Sequence, residues 1–207
     1  MSKTVKMPLV AILRGITPSE VEAHISQLIE AGFDAIEIPL NSPDWETSIG
    51  LAVERFGAKA VIGAGTVLNV AKVDRLAELG CQLIVTPNTN PDVIRRAVDY
   101  GMVVLPGCAT ATEAFNAIDA GAESIKLFPS SAFGPAYISA LKSVLPKHVK
   151  VFAVGGVTPD TLSDYLDAGC AGAGLGGDLY KAGQTPEKTR EKADAFINAY
   201  RQAVARN

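Results

Sequence analysis

The 207-residue sequence is poor in cysteine and histidine, with three and two respectively, and has no long uninterrupted apolar run and no run of Lys and Arg. Each scarcity excludes something. Cys81, Cys108 and Cys170 are odd in number and far apart, which suits reduced thiols in the cytoplasm rather than a disulfide framework. Cys108 lies near the end of a predicted strand, where it could act as a nucleophile. No histidine stands near it in sequence, so it is read as a small core or wall residue. His24 falls in the first predicted helix and His148 in the connection entering the seventh predicted strand. No His/Cys/carboxylate cluster has ligand spacing, so no metal is expected. Gly, Pro or charge interrupts every apolar run within a few residues, which excludes a transmembrane helix. The opening MSKTVKMPLV is basic, but no apolar segment of signal length follows it. A net charge of −3 without a basic run argues against nucleic acid and acidic membrane surfaces as partners. No linker or low-complexity segment is visible either, so residues 1–207 are read as one domain.

The sequence does contain a unit repeated eight times. Each unit is a short apolar run, a turn and an amphipathic helical stretch. The runs are PLVAILR, AIEIPL, AVIGAG, QLIVTP, MVVLPG, SIKLFP, KVFAVGG and AGAGLGG, as expected of parallel strands buried on both faces. Helix starts are marked by Thr17-Pro18-Ser19-Glu20, which reads as a capping box with Pro at the first helical position. Ser42-Pro43, Asn90-Pro91, Thr158-Pro159 and Thr185-Pro186 repeat the cap-plus-proline device, and Thr110 with Glu113 forms a box without proline. Gly32, Gly57, Gly80, Gly101, Gly121 and Gly169 stand where left-handed helix terminators are wanted. Strands alternating with helices imply right-handed crossovers and a parallel sheet. Eight unbroken units imply a single (β/α)8 TIM barrel, with an open doubly wound sheet as the alternative.

Barrels carry their chemistry at the C-terminal ends of the strands. The interior or top-edge charges in the predicted strands are Arg14, Glu37 and Lys126. Period-two alternation turns Ile125 and Leu127 towards the helices and Lys126 into the lumen, and likewise turns Glu37 inward between Ile36 and Ile38. Burial lowers a lysine pKa and favours the neutral, nucleophilic amine. A self-neutralising ion pair is the structural alternative, but buried pairs seldom stabilise a fold better than apolar residues do. Arg14 could bind a carboxylate in a bidentate manner or bridge to a neighbouring loop. Two glycine-rich turns, Val154-Gly155-Gly156-Val157 and Gly174-Leu175-Gly176-Gly177-Asp178, follow strands seven and eight and lead towards helix starts. Barrels commonly hold phosphate in these loops. Tight chain reversal is the plainer reading of them.

The segments Ile12-Leu13-Arg14-Gly15, Glu37-Ile38-Pro39-Leu40-Asn41-Ser42, Gly63-Ala64-Gly65-Thr66-Val67, Val85-Thr86-Pro87-Asn88, Lys126-Leu127-Phe128-Pro129 and Val154-Gly155-Gly156-Val157 resemble the KDPG/KHG aldolase family over nearly the whole chain. Asn41 and Val154 resemble the branch acting on 2-dehydro-3-deoxy-6-phosphogalactonate. The gluconate branch typically has arginine and tends to have threonine at these places. The resemblance implies a cofactor-independent lyase that splits a phosphorylated 2-keto-3-deoxy sugar acid into pyruvate and a triose phosphate. It implies that Lys126 forms the Schiff base and that Glu37 is the general acid/base. By the same resemblance Arg14 and Thr66 hold the carboxylate, while Gly155, Gly156, Gly176 and Gly177 hold the phosphate. It also implies a cytoplasmic homotrimer acting in galactonate degradation. One departure is Gly177, where the family usually has a serine; one missing hydrogen bond weakens binding by ~1 kcal/mol. A phosphosugar isomerase or epimerase using Glu37 and Lys126 without a covalent intermediate, and a non-catalytic phosphosugar-binding protein, are the rival readings.

Overall fold

The computed structural model describes residues 5–206. Residues 1–4, which carry part of the basic N-terminal stretch, and residue 207 lie outside the described residues. The elements run β1 Leu9–Ile12, α1 Val21–Ala31, β2 Ala35–Pro39, α2 Trp45–Phe56, β3 Val61–Gly65, α3 Val70–Glu78, β4 Leu83–Val85 and α4 Pro91–Asp99. They continue with β5 Val103–Leu105, β6 Gly107–Cys108, α5 Ala111–Asp119, β7 Ser124–Leu127, α6 Ser130–Lys142, β8 Lys150–Val154, α7 Leu162–Asp167, β9 Gly172–Leu175 and α8 Pro186–Val204.

The strand order is β5-β4-β3-β2-β1-β9-β8-β7-β6, and every pairing is parallel. The apolar run MVVLPG is therefore not one strand but two. Pro106 has no N–H to donate to a ladder, and the strand divides around it. β5 pairs with β4, and β6 pairs with β7. The Lys126 N–H still reaches the Pro106 carbonyl at 2.9 Å, so the ring closes through the divided fifth strand. This closure identifies the fold as an α/β barrel and excludes an open sheet.

The strands are buried on both faces because two cores flank them. Outside, Leu9, Leu13, Ile36, Ile38, Ile62, Ile84 and Ile125 meet helix residues such as Ile25, Leu28, Ile49, Leu76 and Phe196, all under 2% exposed. Fully burying one such side chain stabilises by ~1.5–3 kcal/mol. Inside, Val10, Ala35, Val61, Leu83, Val85 and Leu105 fill the lower lumen. The upper lumen is left for polar groups.

Asn90, Thr110 and Thr185 cap their helices as the sequence suggests, Thr110 and Glu113 as a complete box. Three other starts differ. Thr17 and Glu20 bond to each other around a separate turn, and α1 begins only at Val21. Ser42 does not cap α2; its hydroxyl accepts from the Gly15 N–H at 2.9 Å. Thr158 and Thr161 close a turn ahead of α7, which starts at Leu162. Gly57 is right-handed, with φ −57°, whereas the other glycines read as terminators have positive φ. α6 is broken at Gly134-Pro135. Among the described residues, no helix is long and apolar enough to cross a membrane.

Candidate active site

The register aligns Ile12 with Glu37, and Glu37 with Gly63, so Glu37 points into the upper lumen above the apolar plug. Lys126 pairs with Gly107 on one side and Phe152 on the other and enters the same lumen. Glu37 and Lys126 are 2% and 6% exposed. Among the described residues no ion pair joins them, and the Glu37 Oε2 atom makes no hydrogen bond. The two groups therefore make no direct ion-pair contact, although each feels the other's charge. The lysine ammonium lies 4.9 Å from the centroid of the Phe128 ring.

Desolvation pushes the Glu37 carboxyl up to about 7, opposed by the positive charges of Lys126 and Arg14. Desolvation also pulls Lys126 down to about 8, opposed by Glu37 and assisted by Arg14. Burial thus moves the two groups towards each other on the pH scale. Near neutrality each can exchange a proton, as acid/base chemistry requires.

Space for the carboxyl comes from the neighbouring strand. A Cβ on Gly65 would lie 2.1 Å from Glu37 Oε2, so only glycine leaves the carboxylate where it is. Beside it, Thr66 directly follows β3 with φ +58°, a left-handed conformation that is costly for a β-branched residue and typical of functional sites.

Arg14 sits on the rim. Its Nη1 donates to the Asn41 side-chain oxygen at 2.6 Å, while Ser42 holds the adjacent Gly15 N–H. The pair Asn41-Ser42 after β2 therefore fixes the turn after β1 and aims the guanidinium. Both roles were hidden in the sequence, where Ser42 looked like a helix cap.

The glycine turns face the same space. Gly155 and Gly156 have φ +96° and +74°, and a Cβ on Gly156 would meet Ser131 Cβ at 2.6 Å. Ser130 fixes this corner: its hydroxyl donates to the Leu127 carbonyl and accepts from the Val154 N–H, both at 2.8 Å. Each turn leads towards its helix through an intervening turn rather than directly. The first leads to the Thr158–Thr161 turn; the second forms a turn whose Leu179 and Tyr180 N–H groups both donate to the Gly176 carbonyl at 2.9 Å. The backbone N–H groups of Gly155, Gly156, Val157, Gly177 and Asp178 donate to no partner among the described residues. Gly156, Gly177 and Asp178 are exposed, and a cluster of N–H groups open to a ligand can attract an anion.

Arg14, Glu37, Thr66, Lys126, Gly155, Gly156, Gly176 and Gly177 all line one cavity of about 430 Å³. Ile12, Pro87, Phe128, Val154, Val157 and Asp178 complete its wall. The size suits a small metabolite. Cys108 lies in the outer core, and burial pushes its thiol up to about 11, which disfavours the thiolate nucleophile. His24 is buried against Thr189 and Tyr180, away from the lumen, and His148 is exposed. No group of three or more potential metal ligands forms among the described residues.

Fold and site together define a barrel enzyme in which a buried lysine and a buried carboxyl lie beneath a rim of backbone N–H groups without protein acceptors. Residues 1–193 match the family model for KDPG and KHG aldolase. The chain is 66% identical over 199 residues to the 2-dehydro-3-deoxy-6-phosphogalactonate aldolase of Escherichia coli strain K12, covering 96% of this chain and 97% of that one. It is 34% identical over 142 residues to the 2-dehydro-3-deoxy-phosphogluconate aldolase of Zymomonas mobilis, covering 68% and 66%. A solved structure described as native KDPGal superposes with a TM-score of 0.97 at 65% identity, covering 99% of this chain and all of that one. The chain belongs to the KDPG and KHG aldolase family, and it is an aldehyde-lyase that acts on a carbon–carbon bond.

Proposed function

We propose that this chain cleaves 2-dehydro-3-deoxy-6-phospho-D-galactonate to pyruvate and D-glyceraldehyde 3-phosphate through a Schiff base on Lys126. The carrying observation is the buried, unpaired Lys126 and Glu37 in one cavity beneath free backbone donors. Neutral Lys126 attacks the C2 ketone, and loss of water gives an iminium. The C3–C4 bonding electrons flow into that cation as the C4 hydroxyl loses its proton, releasing the aldehyde and leaving an enamine. Protonation of the enamine at C3 and hydrolysis then return the amine and pyruvate. Glu37 carries the protons in dehydration, cleavage and enamine protonation, and each such transfer is worth ~10²–10⁴ in rate.

Arg14 and Thr66 hold the carboxylate end. Gly155, Gly156, Gly176 and Gly177 hold the phosphate, whose remote binding orients the reacting bond. The galactonate epimer is favoured by Asn41 and Val154, which resemble that branch and stand at the cavity: Asn41 on Arg14, Val154 in the wall. The same reading gives a single domain over residues 1–207 and a cytoplasmic homotrimer working in galactonate breakdown, without a cofactor.

Pyruvate with borohydride is expected to inactivate the enzyme through a stable adduct on Lys126. An adduct on another lysine, or none, defeats the mechanism. Pyruvate release from the two C4-epimeric 6-phosphates, with Lys126→Ala as control, tests the substrate. A gluconate preference would keep the lysine chemistry and overturn the epimer.

A further inference from the structure

His24 is buried, lies outside the lumen and has no part in the chemistry above. Its surroundings nevertheless lead to the rim. Its ring stands edge-on to Tyr180, with centroids 5.1 Å apart and planes at 83°. Its Nδ1 is 2.8 Å from the Thr189 hydroxyl on α8. That hydroxyl accepts from Gln184 Nε2 at 2.7 Å, and Nε2 also donates to the Leu179 carbonyl at 3.0 Å. The other end of the same amide accepts from the Lys181 N–H at 3.2 Å and from Lys192 Nζ at 3.4 Å. Leu179 and Tyr180, both buried, are the residues whose N–H groups close onto the Gly176 carbonyl. A continuous path of contacts therefore joins α1 and α8 to the turn that presents the free Gly177 and Asp178 N–H groups.

We propose that His24, Thr189 and Gln184 are positioning residues that hold the Gly176–Tyr180 turn in the form that receives the substrate's phosphate. The inference rests on the phosphate role given above to the glycine turns. The turn has little else to fix it: Gly176 and Gly177 have no side chain, and a Cβ on either would meet nothing within 4 Å. Its shape is imposed from below, by Tyr180 seated against His24 and by Leu179 clamped through its carbonyl by Gln184. A neutral ring suits this position, and burial holds the His24 pKa below its usual value against the pull of Glu20 and Glu187. The Tyr180 hydroxyl is also held neutral, pushed up to about 12 mainly by burial.

The test is aldol addition of pyruvate to D-glyceraldehyde 3-phosphate and to unphosphorylated D-glyceraldehyde, in the wild type and in three variants. His24→Phe keeps an aromatic ring against Tyr180, Thr189→Val removes the central hydroxyl at constant shape, and Gln184→Met removes the clamp. KM for the phosphorylated aldehyde is expected to rise by about tenfold, since small misplacements of a binding group have effects of this order or larger. Turnover of the unphosphorylated aldehyde is expected to change little, so the ratio of the two kcat/KM values falls. A purely structural role would lower both reactions together and leave the ratio unchanged, and that result in all three variants would overturn the inference. If the wild type itself shows no preference for the phosphorylated aldehyde, the phosphate role of the turns fails and the inference fails with it. A wild-type preference that the variants retain in full overturns the inference alone.

Discussion

Adding one methyl group to Gly65 should disable the Glu37 carboxyl without touching a charged residue. The backbone of Gly65 does not lie in the left-handed region, so alanine can adopt it, and the cost comes from contact alone. The new Cβ would lie 2.1 Å from Glu37 Oε2 and 2.5 Å from Cδ and Oε1. Ordinary non-bonded contact is about 3.5 Å, so one partner must yield by about 1 Å or more. Glu37 is buried against the lumen wall and has no free side to move into except the cavity. A displacement of about 1 Å at a reacting group can cost ~10²-fold in rate, and complete loss of its proton transfers ~10²–10⁴-fold. Crowding of this kind also destabilises a core by ~1–3 kcal/mol.

Pyruvate release under substrate saturation and urea unfolding would read the two effects on Gly65→Ala. The Glu37→Ala background supplies the control. There the methyl has room, so most of its stability cost and nearly all of its further rate cost should vanish, as a double-mutant cycle would show. Gly65→Ala activity within threefold of wild type, or a stability penalty that persists unchanged in the Glu37→Ala background, would refute the steric argument.

Stability should respond to pH through Glu37. Its folded pKa is raised from 4.5 to about 7, so between these values the folded state holds a proton that the unfolded state has lost. This contribution to stability is complete below 4.5 and disappears as pH rises through 7. Urea midpoints for Glu37→Gln should lack that decline, and an identical slope in variant and wild type would be the contrary result. Arg14→Met removes a positive charge that holds both Glu37 and Lys126 down. The pH profile of kcat/KM should move to higher pH and the KM for pyruvate in the addition direction should rise, whereas an unmoved profile would dissociate Arg14 from the pair. Gly177→Ser adds a hydroxyl where a new Cβ meets nothing within 4 Å. One added hydrogen bond of ~1 kcal/mol should lower the inhibition constant of inorganic phosphate by about fivefold, and weaker inhibition would show that the rim is already filled by backbone.

The barrel was legible in the sequence because eight apolar runs alternate with amphipathic stretches, six of the runs following a helix-terminating glycine. What failed were local signals with more than one use. Ser42-Pro43 has the composition of a helix cap, but a serine hydroxyl will serve any nearby N–H, and here the nearest is Gly15 on another turn. Thr17-Pro18-Ser19-Glu20 makes its Thr–Glu bonds yet closes only a turn. Pro106 split a strand whose apolar character was otherwise uniform. Lys126 and Glu37 stood out because charge within an apolar strand needs a reason. Gly65, Ser130 and Asn41 did not, since their significance lies in neighbours on other strands that no spacing along the chain records. His24 was placed in the first helix, where it lies, but its contact with Tyr180, 156 positions along the chain by their numbers, could be seen only in the folded molecule.

The apolar plug of Val10, Ala35, Val61, Leu83, Val85 and Leu105 has a consequence for the order of events. It makes the lumen a blind shaft, open only at the rim where the glycine turns lie. In the proposed reaction the pyruvate half is anchored at depth by Lys126, while the phosphate-bearing half occupies the opening. Traffic in such a shaft is last in, first out. The triose phosphate must leave before the keto acid can, and in the reverse direction an aldehyde that arrives first blocks the way to the lysine.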